Sequence, residues 1–324
     1  MKRSGFVFIL SIVGGLGLLS LLGMLGGQAA RAFSEEEAPE MPIGSLFVAG
    51  HFGGVVETVY VQDDYAYIGS GYEFNVVDIS NSADPVRVGA SLLTDPVERI
   101  VVVGNYAYLA NGGAGLRIVN VSNPTSPHLA GALDPPGYAL DVAVANAYAY
   151  VASDFGGLRI LNVSMPTAPN EVSHLDFTTS IKGVVVSGNY AYLAAGKLGL
   201  VVVNITNPAF PSVVGTYKTP GVAADVSVSG GFAYVADGEG GGLRVVNVSN
   251  PNNPVNAGNL TTPGQADRVF ADGNNVYLVD GDAGLRIIDV TTPTLPVEVG
   301  TYQTGGDVND VVVNNGTAFV ADGS

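Results

Sequence analysis

The sequence predicts an all-β fold, a seven-bladed β-propeller of four-stranded repeats of about 42 residues, and three observations carry it. An aromatic anchor in AYI-, AYL- or AYV-like triplets recurs at Tyr67, Tyr108, Tyr150, Tyr192, Tyr234, Tyr277 and Phe319, at spacings of 41 to 43 residues. A polar marker keeps step at Asp78, Asn120, Asn162, Asn204, Asn247 and Asp289, 42 or 43 residues apart. No repeat holds ten residues of helical periodicity, which solenoids of this period usually require.

Each repeat reads as four strands in order. The first is an apolar run such as RIVVV (99–103) or DVAVA (141–145). A two-residue turn, Gly104-Asn105 for example, leads into the second, YAYLA (106–110). A glycine-rich turn, NGGAG or DGDAG, precedes the third, LRIVN (116–120). The segment SNPTSP then turns the chain into a fourth strand such as HLAGAL. Val, Ile and Tyr favour the pleated strand, while Gly, Asn, Asp and Pro punctuate it. Middle strands of a blade are covered on both faces by neighbouring blades, so the third strand is free to be apolar throughout.

The ends of the repeat region are expected to meet. GSLFVAGHF (44–52) resembles a fourth strand, and the chain closes on residues that supply only a first and a second strand. The N-terminal strand is therefore expected to complete the last blade at its rim, leaving that blade without its third strand. Residues 43–324 provide 282 residues where seven repeats need about 294. A truncated frame is the expectation that follows, with an eighth blade open if the frame runs on.

The third strands FNVVD, LRIVN, LRILN, LVVVN, LRVVN and LRIID resemble the LVIVD repeat, a family named for this consensus. The resemblance covers roughly residues 56–324 and implies the propeller fold. It implies no activity, because the family is a repeat architecture without one in common.

The first 32 residues differ in kind. Lys2 and Arg3 precede an uncharged run from Ser4 to Ala30, and Ala30-Arg31-Ala32 presents a small-x-small cleavage site. This is the layout of a secretory signal peptide over 1–32, with an N-terminal membrane anchor as the competing reading. An acidic spacer fills 33–42, and the propeller occupies 43–324. Both readings place the body outside the cytoplasm, secreted or at the cell surface. Beyond residue 32 ten basic residues face 29 acidic ones, a balance of −19. Such a body repels phosphate backbones, which argues against nucleic acid. The absence of cysteine excludes a disulfide framework, a thiolate metal site and a cysteine nucleophile.

Three sets of recurring polar residues bear on function. Arg117, Arg159, Arg244 and Arg286 share one repeat position, where the other repeats carry Asn75 and Val201. A guanidinium ring for an anion is one reading. Ties to the acidic turns near Asp154, Glu239 and Asp282, or to the next blade, are the preferred one. Asp78, Asn120, Asn162, Asn204, Asn247 and Asp289 suit side-chain-bonded turns, so the sequons at four of them read as a by-product of turn chemistry. The position nine residues before each anchor yields Thr58, Arg99, Asp141, Gly183, Asp225, Arg268 and Asp310 at the channel mouth. Asp141, Asp225, Asp310, Arg99 and Arg268 are the candidate ligand-binding residues there, weighed against solvated loop-end charges.

His51, His128 and His174 fall on outer strands of different blades, too far apart for a metal or catalytic cluster. GxSxG, Walker and HExxH motifs are absent. No catalytic residue, cofactor or metal is expected, with calcium at an Asp-Gly turn the one cation considered. The expected function is a non-catalytic binding or scaffold module, monomeric, for a protein or glycan partner. The alternative is a propeller enzyme or cation-dependent binder at the channel mouth.

Overall fold

A computed structural model of the chain describes residues 6–12, 46–53, 55–304 and 306–323. The proposed cleavage site and acidic spacer lie outside the described residues. Six sheets of four antiparallel strands follow one another as propeller blades. In blade 2 the strands are Arg99–Val103, Tyr106–Ala110, Leu116–Asn120 and His128–Leu133, ordered from channel to rim. Blade 1 begins at Thr58, blade 3 at Asp141, blade 4 at Gly183, blade 5 at Asp225 and blade 6 at Arg268.

The C-terminal pair, Val308–Asn314 and Thr317–Asp322, begins a closing sheet. Phe6–Ile12 pairs antiparallel with Thr317–Asp322, and Leu46–Gly53 pairs with Phe6–Ile12 at the rim. The place expected to lack a third strand is therefore taken by Phe6–Ile12, a segment that sequence reading assigned to the leader. Its FVFILSI run has the aromatic and β-branched content of a third strand, so the sheet register accepts it. Among the described residues no helix is long and apolar enough to cross a membrane.

The core lies between blades rather than within one. Tyr108, Ala110, Leu116 and Ile118 of blade 2 pack against Val142, Val151 and Leu161 of blade 3. The opposite face of blade 2, through Ile100, Leu109 and Val119, packs on Tyr67, Phe74 and Val76 of blade 1. Alternation along each middle strand thus feeds two apolar layers, which explains why these strands show almost no polar residue. The tyrosine anchor stands in one such layer, and in blade 1 its ring stacks on Phe74 at 6.1 Å between centroids. The layer joining the closing sheet to blade 1 contains Val312, Phe319 and Ala321 against Val59 and Ile68.

The polar markers at the ends of the third strands all form the same turn. Asp78, Asn120, Asn162, Asn204, Asn247 and Asp289 each accept a hydrogen bond from the backbone N–H two residues on, at 2.7–3.0 Å. Ser80 holds the Asp78 carboxyl below its ordinary range through hydroxyl and backbone bonds, and Thr291 does the same for Asp289. Asn and Asp exchange freely here because only the acceptor oxygen is used.

Blades also interlock at the rim. Each fourth strand carries a register shift at its third or fourth residue. At this bulge Gly131 of blade 2 faces the carbonyl of Pro166 in the turn of blade 3. Gly89 faces Pro124 in the same manner one blade earlier. A Cβ at either glycine would overlap that carbonyl, so the next blade's turn seats only against a bare backbone. Where blade 3 carries Ser173 instead, its hydroxyl donates to Pro208 O at 2.5 Å.

Gly131→Ala is expected to force the turn of blade 3 outward at a cost of about 1–3 kcal/mol, the usual penalty for overpacking. Thermal unfolding of the full chain should show a lower Tm, whereas Gly104→Ala, with open space around it, pays only for its backbone conformation.

Candidate functional site at the channel mouth

The first strand of every blade lines the channel, and its first residue lies at the end where the loops between second and third strands gather. Asp141, Asp225 and Asp310 occupy that first or near-first position in alternate sheets, and each is 1–3% exposed. They are not solvated loop-end charges. Asp141 accepts from its neighbour Val142 N–H and from Val184 N–H of blade 4, both at 2.8 Å. Asp225 accepts from Val226 N–H at 2.8 Å and from Val269 N–H of blade 6 at 3.1 Å. Asp310 accepts from Val311 N–H at 2.9 Å, from Val59 N–H of blade 1 at 3.2 Å, and from the Thr58 hydroxyl at 2.8 Å. Each carboxylate is thus a clasp between its own sheet and the next.

Arg99 gathers the three. Its guanidinium lies 2.5 Å from Asp310, 3.4 Å from Asp141 and 3.7 Å from Asp225, with the side chain 19% exposed. Burial penalises its charge, but Asp310, Asp225 and Asp141 outweigh that and hold its pKa above the ordinary arginine value. Burial pushes the Asp141 carboxyl up to about 6; Asp225 adds to the rise, while Arg99 and Arg268 oppose it. Gly183 holds the equivalent place in blade 4 because a Cβ there would come 2.8 Å from the Asp225 carboxylate. Of the five candidate residues, the structure brings Asp141, Asp225, Asp310 and Arg99 into one cluster. Arg268 faces the mouth above it.

Beneath the cluster the channel widens into a cavity of about 270 Å³, largely lined by Tyr60, Phe270 and valines. Above it opens a second cavity of about 290 Å³. Its rim is a ring that sequence reading missed, one residue before each first-strand position: Glu57, Glu98, Leu140, Lys182, Ala224, Asp267 and Asn309. The period was present in the sequence for this ring too, but mixed polar and apolar types conceal it. Tyr138 donates to Glu98 at 2.8 Å and Asn309 to Glu57 at 3.4 Å. Burial raises the Glu57 pKa, and the neighbouring Glu98 charge raises it further.

The third-strand arginines tie strands within a blade rather than blades to one another. Arg244 Nε bonds Asp237 at 3.2 Å and Arg286 Nε bonds Asp280 at 3.1 Å. Arg286 also reaches Glu298 on its fourth strand at 2.9 Å, and Arg159 reaches Glu171 at 3.4 Å and Asp176 at 3.6 Å. Arg117 donates to the carbonyls of Ala114 and Leu116. Blade 1 reverses the arrangement, with Arg87 on the fourth strand donating to Asn75 on the third at 3.2 Å. Asp154 and Asp282 are not the partners; the acids that serve Arg244 and Arg286, Asp237 and Asp280, are fully buried just past the end of the second strand. That position matters because the buried carboxylate also accepts from the incoming loop, as Asp280 does from Thr262 at 2.5 Å and Gly264 at 3.1 Å. Among the described residues no group of three or more His, Cys, Asp or Glu side chains is placed to hold a metal ion. His51, His128 and His174 lie on separate outer strands.

Residues 53–92, 96–134, 136–176, 180–219, 220–262 and 263–304 each match the model of the LVIVD repeat. No curated protein sequence matches the chain. Among solved structures, the computationally designed Ika8 protein superposes with a TM-score of 0.59 at 10% identity, covering 83% of this chain and 96% of that one. BamB from Moraxella catarrhalis gives a TM-score of 0.59 at 14% identity, covering 86% of this chain and 87% of that one. Both likenesses are of fold.

Two substitutions test the clasp. Asp310→Ala removes the acceptor from Val59, Thr58 and Val311 and leaves Arg99 short of a partner, an expected loss of about 3–5 kcal/mol in chemical denaturation. For Asp141 the folded pKa stands above the ordinary value of about 3.9, so the folded state holds a proton that the unfolded chain releases. Its contribution is full below about pH 4 and is lost as pH rises to about 6. The stability difference between wild type and Asp141→Asn should accordingly fall by about 1–3 kcal/mol across that window and stay level above it.

Proposed function

The chain belongs to the LVIVD repeat family, and from that premise we propose that it is an exported, non-catalytic β-propeller serving as a binding or scaffold module at the cell surface or outside the cell. We count the closing sheet as its seventh blade. The observation that carries the reading is the state of the channel carboxylates. A propeller that works on a substrate at its centre needs free acids, bases or metal ligands there. Here all three carboxylates are buried, each has both oxygens occupied by hydrogen-bond donors, and all share one guanidinium. The centre is consumed in holding the ring together, and recognition falls to the loops and the mouth above.

Charge supports a partner on that face. All three lysines beyond residue 32, Lys182, Lys197 and Lys218, belong to the loops of blade 4. None has a carboxylate within ion-pair distance among the described residues, although acids outnumber bases heavily. Leu198, Val222 and Phe155 are exposed on the same loops and their neighbours. A protein or glycan partner presented to a monomer fits this mixture, and the acidic body elsewhere repels nucleic acid.

Export and the closing sheet make competing demands on the same residues, since cleavage after Ala32 removes Phe6–Ile12. Fractionation of cells expressing the full chain, with intact mass of the product, tests the location. We expect material outside the cytoplasm, beginning at Phe33 if the leader is removed or at Met1 if it anchors; recovery in the cytosol alone contradicts export. A screen for hydrolase and lyase turnover, with calcium and with chelator, tests the rest. Turnover that a folded Asp141→Ala/Asp225→Ala/Asp310→Ala variant has lost would establish the enzyme reading instead.

A further inference from the structure

Blade 4 reverses the charge of its fellows. From residue 177 to residue 224 there is no Asp or Glu, although 29 acids stand beyond residue 32. The structural charges of the other blades are missing from it: Gly183 stands where Asp141 and Asp225 form clasps, Ala195 where Asp237 and Asp280 are buried, and Val201 where Arg244 and Arg286 tie the strands. All three lysines beyond residue 32 lie on its loops, and each takes a repeat position that other blades give to acids. Lys182 stands in the place of Glu57, Glu98 and Asp267, Lys197 in that of Asp282, and Lys218 in that of Asp134 and Asp176.

The fold gathers these lysines on one face. The turn 195–199 packs against the loops that enter and leave the blade: Ala223 N–H donates to Gly196 O at 3.0 Å, and Lys182 N–H to Ala194 O at 2.9 Å. A Cβ on Gly196 would meet the Thr179 hydroxyl at 2.9 Å, and one on Gly199 would lie 3.0 Å from Lys218 Cα. Leu198 and Val222 are exposed on the same loops. Neighbouring acids are engaged elsewhere: Asp176 with Arg159 and His174, Asp225 with Arg99 and two backbone N–H groups, Asp237 with Arg244. Glu239 belongs to the blade 5 turn, whose backbone pairs with Gln265 on the loop entering blade 6. Asp154 borders the patch through its backbone pairing with Ile181, and with it counted the patch stays net positive. Lys182 also lines the channel mouth, where Glu57, Glu98 and Asp267 stand; Lys197 and Lys218 are exposed outside it.

We propose that the loops of blade 4 dock an acidic protein segment with apolar side chains among its carboxylates. Its carboxylates meet Lys197 and Lys218, with Lys182 at the inner edge, and its apolar side chains cover Leu198 and Val222. The proposal rests on the binding-module reading and gives the partner its chemistry. Such a segment is repelled by the acidic loops of the other blades and admitted by these, so the reversal of sign selects the docking sector. At physiological ionic strength charges more than about 8 Å apart are largely screened, so the segment responds to the loops it touches rather than to the net charge of the body. A long sulfated glycan would run past this sector onto the turns of Asp154 and Glu239, which a short segment avoids.

Fluorescence anisotropy of the full chain with a labelled peptide of alternating Asp and Leu, at physiological salt, tests it. Peptides of alternating Lys and Leu and of alternating Asp and Gly, and a sulfated heparin fragment, are the controls. The Asp–Leu peptide should bind about tenfold more tightly than any control. Lys197→Gln/Lys218→Gln should weaken it about tenfold with Tm unchanged, since neither lysine has an ion-pair partner among the described residues. Lys197→Arg/Lys218→Arg should keep the affinity. Failure of the Asp–Leu peptide to bind the folded chain, equal binding by either control peptide, or indifference to the Gln variant would overturn the proposal. Tighter binding of the heparin fragment would overturn the assignment to a protein segment. Each of these results leaves the binding-module reading standing on its own turnover and export tests.

Discussion

The ring depends on the carboxylate clasp at its centre. An aspartate at the inner edge of one sheet accepts the first free N–H of the next sheet, and it does so at three junctions: blades 3 to 4, blades 5 to 6, and the closing sheet to blade 1. Sheets packed face to face through Val, Leu and Ala slide easily, because dispersion and the hydrophobic effect have no direction. A hydrogen bond to a buried carboxylate is directional and costly to leave unmade. The clasp therefore fixes the register between sheets that apolar packing alone leaves loose, and Arg99 offsets the charge that three such clasps bring into the channel.

The outer layers repeat this logic with weaker means. At the rim, the bare backbone of Gly131 or Gly89 receives the proline turn of the next blade. Between centre and rim, buried Asp237 and Asp280 join a third-strand arginine to the loop by which the chain enters their own blade from the preceding one. The junction of blades 5 and 6 is thus held at more than one radius, by Asp225 on Val269 N–H at the centre and by Gly258 against Pro293 at the rim. The outward sequence, carboxylate, apolar layer, glycine against proline, follows the falling degree of burial from channel to rim.

Much of this was legible in the residues. The period, the four strands, the turn role of Asn120 and its equivalents, and the rim position of 44–52 all follow from local chemistry within one repeat. The inter-blade contacts were hidden because their partners stand about one period apart, as Asp141 and Val184 do, and a contact across a period looks like mere repetition. Counting back from the tyrosine anchors picked out Asp141, Asp225 and Asp310 but said nothing of their burial, which arises only when the ring closes. The partners of Arg244 and Arg286 were misplaced for a similar reason: proximity in sequence favoured the acids of the turns, while the structure uses the buried carboxylates Asp237 and Asp280 at the strand ends. Phe6–Ile12 carried two meanings at once, since an apolar run suits a leader and a third strand equally.

A single arginine shared among carboxylates from sheets that are not neighbours makes the ring unequal to itself. Near-identical units invite duplication, loss and exchange, and a ring built of interchangeable parts would tolerate all three. Here each unit has an address, given by its distance around the circle from Arg99. Copying a repeat between blades 2 and 3 would carry the guanidinium away from its acids, and deleting blade 4 would set Asp141 and Asp225 on adjacent sheets. The centre acts as a ledger of order, fixing the number and sequence of the units.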